Sequence, residues 1–399
     1  MSASRDAASL GFTMLLGLLI ALTALGMDMF LPALPEIGRE MLASPGAAQL
    51  AVTTYLAGLA AGQLAWGPVS DRWGRRPALG AGLALFLASS LACAAADTIE
   101  AIATLRFFQG AGMSSGPVIA RSIVRDLYAR EQAARLLGRM TAVFGLVPVF
   151  APLAGAQVLA LGGWRAVFGA YAAVAALLIA AVLLRVPETA PATRASIAPA
   201  RLAAGFARLL ADARFTAPLV TALCAQMAII AFVSNSALVA VHALALTPAQ
   251  FSLLFSAIML GQVSGGYAAS RLVPRLGVAM LVRWGARLAA GAGLLLAALA
   301  LAGVAHWAAI GIPMLAFILG CAFVVPNATA AALAPFPAIA GSASSLLGVL
   351  PFGFGALVSV ALGAAFTGTA VPMACAIAVF GTAALAAERW LFRRYAALD

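Results

Sequence analysis

One acidic side chain in this 399-residue chain stands well inside an apolar run: Asp28, within Leu25–Pro35, LGMDMFLPALP. A carboxylate at membrane depth costs about 2.5–3.5 kcal/mol on insertion scales, so an acid kept there by default faces a bundle interior and handles protons or ions. The alternative is a static, hydrogen-bonded aspartate near the outer end of its helix, because Pro32 ends the run soon after. Arg106 is the one arginine placed deep in a span, about seven residues or roughly 10 Å from its outer end at 1.5 Å per residue. A direct or water-bridged Asp28–Arg106 pair would set burial and a neighbouring cation against each other in the ionisation of Asp28. The alternative for Arg106 is a structural donor to carbonyls of the first helix. The tightest packing of charge lies elsewhere, in Gly62–Pro77, GQLAWGPVSDRWGRRP, which carries Gly67, Asp71, Arg72, Gly74, Arg75 and Arg76 between two apolar runs.

Other chemistries are excluded by what these residues are. All 24 basic side chains are arginine, so neither a GxxxxGK[ST] phosphate loop nor a lysine Schiff base can form. Cys93, Cys224, Cys321 and Cys375 each sit alone in apolar runs, and His242 and His306 are isolated. No disulfide, metal site or cofactor is expected from them. No cluster of histidines, cysteines or acids falls at membrane depth, so an enzyme is not expected.

The elements that must position these residues follow from composition. Hydrophobic residues make up 64% and charged residues 9%, with mean hydropathy +1.04, against roughly 25% charged in a soluble domain. Apolar runs near 20 residues match a hydrocarbon core of about 30 Å, and their lack of strand alternation makes them helices. The expected fold is an all-α polytopic membrane protein of about twelve helices. Spans are placed near 10–31, 47–68, 77–96, 99–121, 136–160 and 164–185, then 216–238, 248–270, 278–303, 307–328, 343–366 and 370–388. The first is too long for a signal peptide and lacks a cleavage site. The expected organisation is an N-terminal bundle over 1–186, a polar cytoplasmic linker over 187–214 and a C-terminal bundle over 215–399. Arginines concentrate on one set of loops, which marks the cytoplasmic side and puts both termini inside. The net charge of +11 therefore reports topology and a lipid bilayer partner, and nucleic-acid binding is not expected. Gly62-Gln63, Gly67 and Arg72 recur as Gly261-Gln262, Gly266 and Arg271, each 199 residues on, with Ser270 in the place of Asp71 and Val273 in that of Gly74. Two parallel six-helix halves carry such a pattern.

GPVSDRWGRRP resembles the loop signature of the major facilitator superfamily, and LRFFQGAG (Leu105–Gly112) is similar to its fourth-helix motif. Val147–Ala156, with Gly145 just before it, resembles the fifth-helix antiporter motif through Gly145, Pro148, Pro152 and Gly155, although Val147, Ala151 and Ala156 stand where glycines are expected. LGMDMFLPALP, QLAVTTYLAG (Gln49–Gly58) and FPAIAGSASSLLG (Phe336–Gly348) look like drug/proton antiporters of the Bcr/CflA type, especially chloramphenicol and florfenicol exporters. This resemblance spans nearly the whole chain. It implies the major facilitator fold of two pseudo-symmetric bundles, a bacterial inner-membrane location, a monomer, and export of a chloramphenicol-like amphipathic drug in exchange for protons by alternating access. Export of another metabolite or a sugar on the same fold is the alternative.

The resemblance further implies a substrate cavity on particular spans, with Tyr55, Met113, Phe144, Gln226, Phe232, Asn235, Met259, Asn327 and Phe352 as candidate walls. Asp28, with Arg106, is expected to carry the coupled proton. Asp71, with Gly67, Arg72, Gly74, Arg75 and Arg125, is expected to act as a conformational latch, drawn to the free N–H groups near Gly341–Ser344.

Overall fold

The computed structural model describes residues 10–190 and 199–392, which contain helices and no strand. The stretch 191–198, in the expected linker, lies outside the described residues. The chain divides into two compact units, Met1–Ile197 and Ala198–Asp399.

In the first unit, α1 runs over Leu10–Asp28. A single 3-10 turn, Leu31–Ala33, and the short α2, Leu34–Glu40, follow it. Each carries a proline as its second residue, Pro32 and Pro35, whose missing N–H goes unnoticed in a first turn. Helix α3, Pro45–Trp73, starts on Ser44, whose Oγ accepts the Ala47 N–H at 3.2 Å. It ends at Gly74, φ +104°, and α4, Arg75–Ala94, restarts at once. Thr98 caps α5, Ile99–Met113, which runs on into α6, Ser115–Leu127. Helix α7, Arg130–Arg185, holds two spans separated by non-helical Gly162 and Gly163. Its first arm places Val143 beside Gly17 and Gly155 beside Met29, parallel to α1. Its second arm places Phe168 beside Phe30 and Arg185 beside Gly11, antiparallel to α1. The chain therefore reverses at the glycine pair.

In the second unit, α8, Pro199–Ala211, occupies part of the stretch expected to be a polar connector. It buries Leu209, with Phe206 packed alongside, against Phe215, Leu219, Phe336 and Leu346. An amphipathic stripe, not bare linker, is what those apolar residues encode. Helix α9 covers Ala213–His242 behind an Asp212 cap. Helix α10, Pro248–Leu301, opens on a Thr247/Gln250 capping box and breaks at Gly277, φ +75°. Ala269 and Leu281, on opposite sides of that break, both pack on Phe323, so this helix reverses as α7 does. Next come α11, Trp307–Leu333, α12, Ala340–Ala364, and α13, Val371–Ala387, which ends in a π-turn, Glu388–Phe392.

Eight of these helices are long and apolar enough to cross a membrane. Counting both arms of α7 and α10, and adding α3 and the α5–α6 rod, gives the twelve segments expected. One detail of the repeat differs. The positive-φ glycine that mirrors Gly74 is Gly277, four residues later than the constant 199-residue offset requires. Val273 is simply helical, because α10 continues one further turn before it breaks.

Candidate functional site

Asp28 closes α1 and is 4% exposed. Among the described residues it makes no hydrogen bond and no ion pair, which is rare for a buried carboxyl. An anion here would sit at the negative end of its own helix dipole. The backbone just before it, in contrast, is heavily engaged. The last carbonyls of a helix run short of intrahelical partners, and three helices supply donors to the final two turns of α1. Arg106 Nη1 on α5 donates to Gly26 O at 3.0 Å. Tyr171 Oη on α7 donates to both Leu25 O and Gly26 O at 3.2 Å. Tyr55 Oη on α3 donates to Thr23 O at 2.8 Å and also contacts Met113 Sδ at 2.9 Å.

Arg106 is fully buried and forms no ion pair with Asp28. The expected Asp28–Arg106 pair is thus replaced, in direct form, by the alternative arrangement of an arginine capping first-helix carbonyls. Its guanidinium lies between the rings of Phe30 and Tyr55, 4.3 and 4.1 Å from their centroids, which offers cation–π stabilisation. Nε donates to Ala51 O at 3.3 Å and Nη1 to Gln109 Oε1, whose amide in turn donates to Ser90 Oγ at 2.8 Å; Nη2 has no hydrogen-bond partner among the described residues. Gln109 and Tyr171 were not singled out from sequence. Gln109 was legible in the fourth-helix motif, whereas Tyr171 lies in an unremarked apolar run.

Of the fifth-helix residues, Gly155 bears directly on this site. A Cβ there would drive into the Met29 carbonyl, one residue past Asp28. Pro152 is buried, Pro148 half-buried, and the space beside Gly145 is open.

The loop signature forms a second cluster within the first unit. Arg75 is its hub. Its Nη1 bonds Asp71 and, at 2.9 Å, Ser70 Oγ, while Nε pairs with Asp126 of α6 at 2.9 Å. Glu188, just past α7, accepts the Arg75 and Arg76 N–H groups at 2.8 and 3.1 Å and so caps α4 from a distance of more than a hundred residues in sequence. Partial burial would raise its pKa. The N–H groups of Ala190, Arg75, Arg76 and Thr189 outweigh that and hold it below the ordinary carboxylate value. A Cβ at Gly74 would meet Glu188 Oε2 at 2.5 Å. Arg72 and Arg125, expected to join a latch, stand outside this hub. Arg72 is exposed, and Arg125 donates to Ser122 Oγ at 3.1 Å on its own helix. Gly67 faces open space. Asp126 and Glu188 were the members missed; each is a lone acid at a span end, a signal that charge position alone carries.

The candidate cavity residues scatter. Tyr55 and Met113 belong to the α1 clamp, whereas Phe144 is exposed and Gln226 and Phe352 are half-buried. In the second unit, Phe232 stacks on Phe255 at 5.5 Å and lines a small apolar hollow with Ser236, Phe251, Ile258 and Ile310. Asn235 Nδ2 donates to Ser234 Oγ at 2.9 Å and Asn327 Nδ2 to Phe323 O at 2.8 Å. Met259 is buried.

Known proteins agree with this architecture. The Major Facilitator Superfamily model matches residues 16–360. A bicyclomycin resistance protein homolog of Haemophilus influenzae is 29% identical over 367 residues, 91% of each chain. A chloramphenicol resistance protein of Pseudomonas aeruginosa is 42% identical over 149 residues, 37% of this chain and 35% of that one. A D-xylose-proton symporter structure aligns over 96% of this chain and 98% of its own, with TM-score 0.76 at 17% identity. The chain is therefore a membrane transporter, not an enzyme, and belongs to the major facilitator superfamily.

Proposed function

We propose that this transporter exports amphipathic drugs of the chloramphenicol kind in exchange for protons, and that Asp28 carries the coupled proton. The resistance proteins among its relatives support a drug as cargo. The observation that carries the coupling is the carboxyl itself: buried, at the end of a membrane helix, and without a hydrogen bond or ion pair among the described residues. A structural acid would be paired; an acid that must take up and release a proton in every cycle needs both forms within reach. Arg106 serves this site by holding the end of α1 in place. Asp71, Arg75 and Asp126 serve as the conformational latch at the face that the arginine distribution assigns to the cytoplasm, where both termini are placed.

The test is Asp28→Asn in proteoliposomes containing only this protein. Asparagine keeps the shape and a carbonyl but cannot ionise. Chloramphenicol export driven by a pH gradient should fall to background in the variant while drug binding survives with less pH dependence. A well-folded Asp28→Asn protein that still pumps against a gradient would refute the coupling assignment.

A further inference from the structure

The two copies of the loop break their helices at Gly74 and at Gly277, and one of these turns is electrostatically closed while the other is open. At the Gly74 turn, Arg75 is met by Asp71 and Asp126, and Glu188 caps the restarting helix. At the Gly277 turn the sequence supplies no such acids, because residues 213–387 contain neither aspartate nor glutamate. Arg283 alone is answered, by Glu388 from beyond that stretch, at 3.6 Å. Arg271, Arg275 and Arg287 are exposed and form neither an ion pair nor a hydrogen bond among the described residues. Five arginines stand in α9 and α10, and three of them converge on this one turn without a counter-charge.

Aromatic side chains mark the depth of these charges. The first arm of α10 has 29 residues before Gly277, about 43 Å of helix at 1.5 Å per residue. A hydrocarbon core of about 30 Å leaves roughly 13 Å of it projecting among the headgroups and beyond. Tyr267 and Arg287 each lie ten residues from Gly277, about 15 Å back along their arms, at the inner edge of that projection. Arg271 and Trp284 lie six and seven residues from it, about 9–10 Å back, at headgroup level. Tyr267 and Trp284 are 63% and 44% exposed, as expected of aromatics that sit at a membrane interface. The Arg271 guanidinium lies 5.2 Å from the Tyr267 ring centroid. Tyr267, Arg271 and Arg275 follow at four-residue intervals and share one side of their arm, as Trp284 and Arg287 do on the other. The opposite side, through Ala269 and Leu281, is buried on Phe323.

We propose that the exposed side of the Gly277 turn, formed by Tyr267, Arg271, Arg275, Trp284 and Arg287, binds the phosphate headgroup of an anionic phospholipid. Guanidinium groups suit phosphate oxygens, which they can meet with two parallel N–H donors. The two exposed aromatics, Trp284 at headgroup level and Tyr267 at the hydrocarbon edge, favour a phosphate attached to a membrane over one free in solution. In this reading the second copy of the loop has exchanged the internal acids of the first for lipid.

The test uses the purified full chain in mild detergent, with native mass spectrometry to count retained lipids. The probes are phosphatidylglycerol and phosphatidylcholine with identical acyl chains. The parent should retain phosphatidylglycerol at least about threefold over phosphatidylcholine, the scale of one or two charge–headgroup contacts. Arg271→Gln/Arg275→Gln/Arg287→Gln should lose that preference, whereas Arg135→Gln/Arg139→Gln/Arg208→Gln, which removes three other exposed arginines, should keep most of it. Helical circular dichroism and a single elution peak verify that both variants fold. Equal loss in the two triple variants, or no loss in the first, overturns the site. Displacement of the lipid by millimolar inorganic phosphate would also overturn it, in favour of a free-anion site.

Discussion

A single hydroxyl group shows how the proposed coupling residue, Asp28, is presented. Tyr171 bridges the Leu25 and Gly26 carbonyls while its ring packs on Phe86 and Phe168. Tyr171→Phe removes the hydroxyl and leaves the ring in place. One long hydrogen bond shared between two carbonyls is worth about 1 kcal/mol, so the variant should fold with only a small loss in melting temperature. Uphill export should nevertheless fall several-fold, because the end of α1 that carries Asp28 would be held by Arg106 and Tyr55 alone. Drug-binding isotherms measured alongside export check that the loss lies in coupling; a parallel loss of binding would assign Tyr171 to the cargo site instead. Arg106→Lys probes the same turn. Lysine keeps the charge but not the planar fork that lies between Phe30 and Tyr55 while bonding two carbonyls, so it should not restore the function lost in Arg106→Ala.

At the scale of elements, the join between α3 and α4 depends on a residue far along the chain. Gly74 adopts φ +104°, a region costing other residues about 1–3 kcal/mol, and Glu188 fills the space where a side chain would go. Gly74→Ala should therefore lower stability by at least about 1 kcal/mol, while Gly67→Ala, with open space around it, should be near neutral; thermal unfolding in detergent compares them. The Glu188 cap also has a defined pH dependence. Its folded pKa is depressed by backbone N–H donors, so its contribution is present above the unfolded value. That contribution disappears as pH falls through the lower folded value, on the acid side of an ordinary glutamate. Amide-exchange protection at the start of α4 should thus persist from neutral pH to pH 5 and weaken only in stronger acid. Glu188→Gln should remove that pH step.

For the whole molecule, the two copies of the loop predict unequal functional weight. Asp71 shares Arg75 with Asp126, whereas Ser270 bonds only the Tyr267 carbonyl of its own helix, at 2.7 Å. Asp71→Asn should slow export by tenfold or more, the scale of about 1.4 kcal/mol, and Ser270→Ala should leave it near the parent rate. Drug efflux from loaded vesicles measures both. A loss in Ser270→Ala equal to that in Asp71→Asn would show that the halves contribute symmetrically.

Much of this was written in one dimension. Run length against bilayer thickness decides that the chain is a bundle of membrane helices, and hydropathy decides where each begins. The isolation of Asp28 in an apolar run made it a candidate for chemistry before any contact was known, since cost of burial depends on surroundings that the run itself supplies. The loop signature carried Asp71, Gly74 and Arg75 for the same reason of local spacing. Partners were another matter. Nothing in the sequence states that Arg106 faces the carbonyl of Gly26 instead of the carboxyl of Asp28, that Tyr171 bonds the same turn, or that Glu188 caps α4. Those facts depend on which faces of distant helices meet, and an apolar run of mixed leucine and alanine leaves many rotations open. The four-residue shift from Val273 to Gly277 has the same origin. Sequence identity aligned the two loops at a constant offset, but the break in α10 falls where packing on Phe323 and a left-handed glycine together allow the chain to turn.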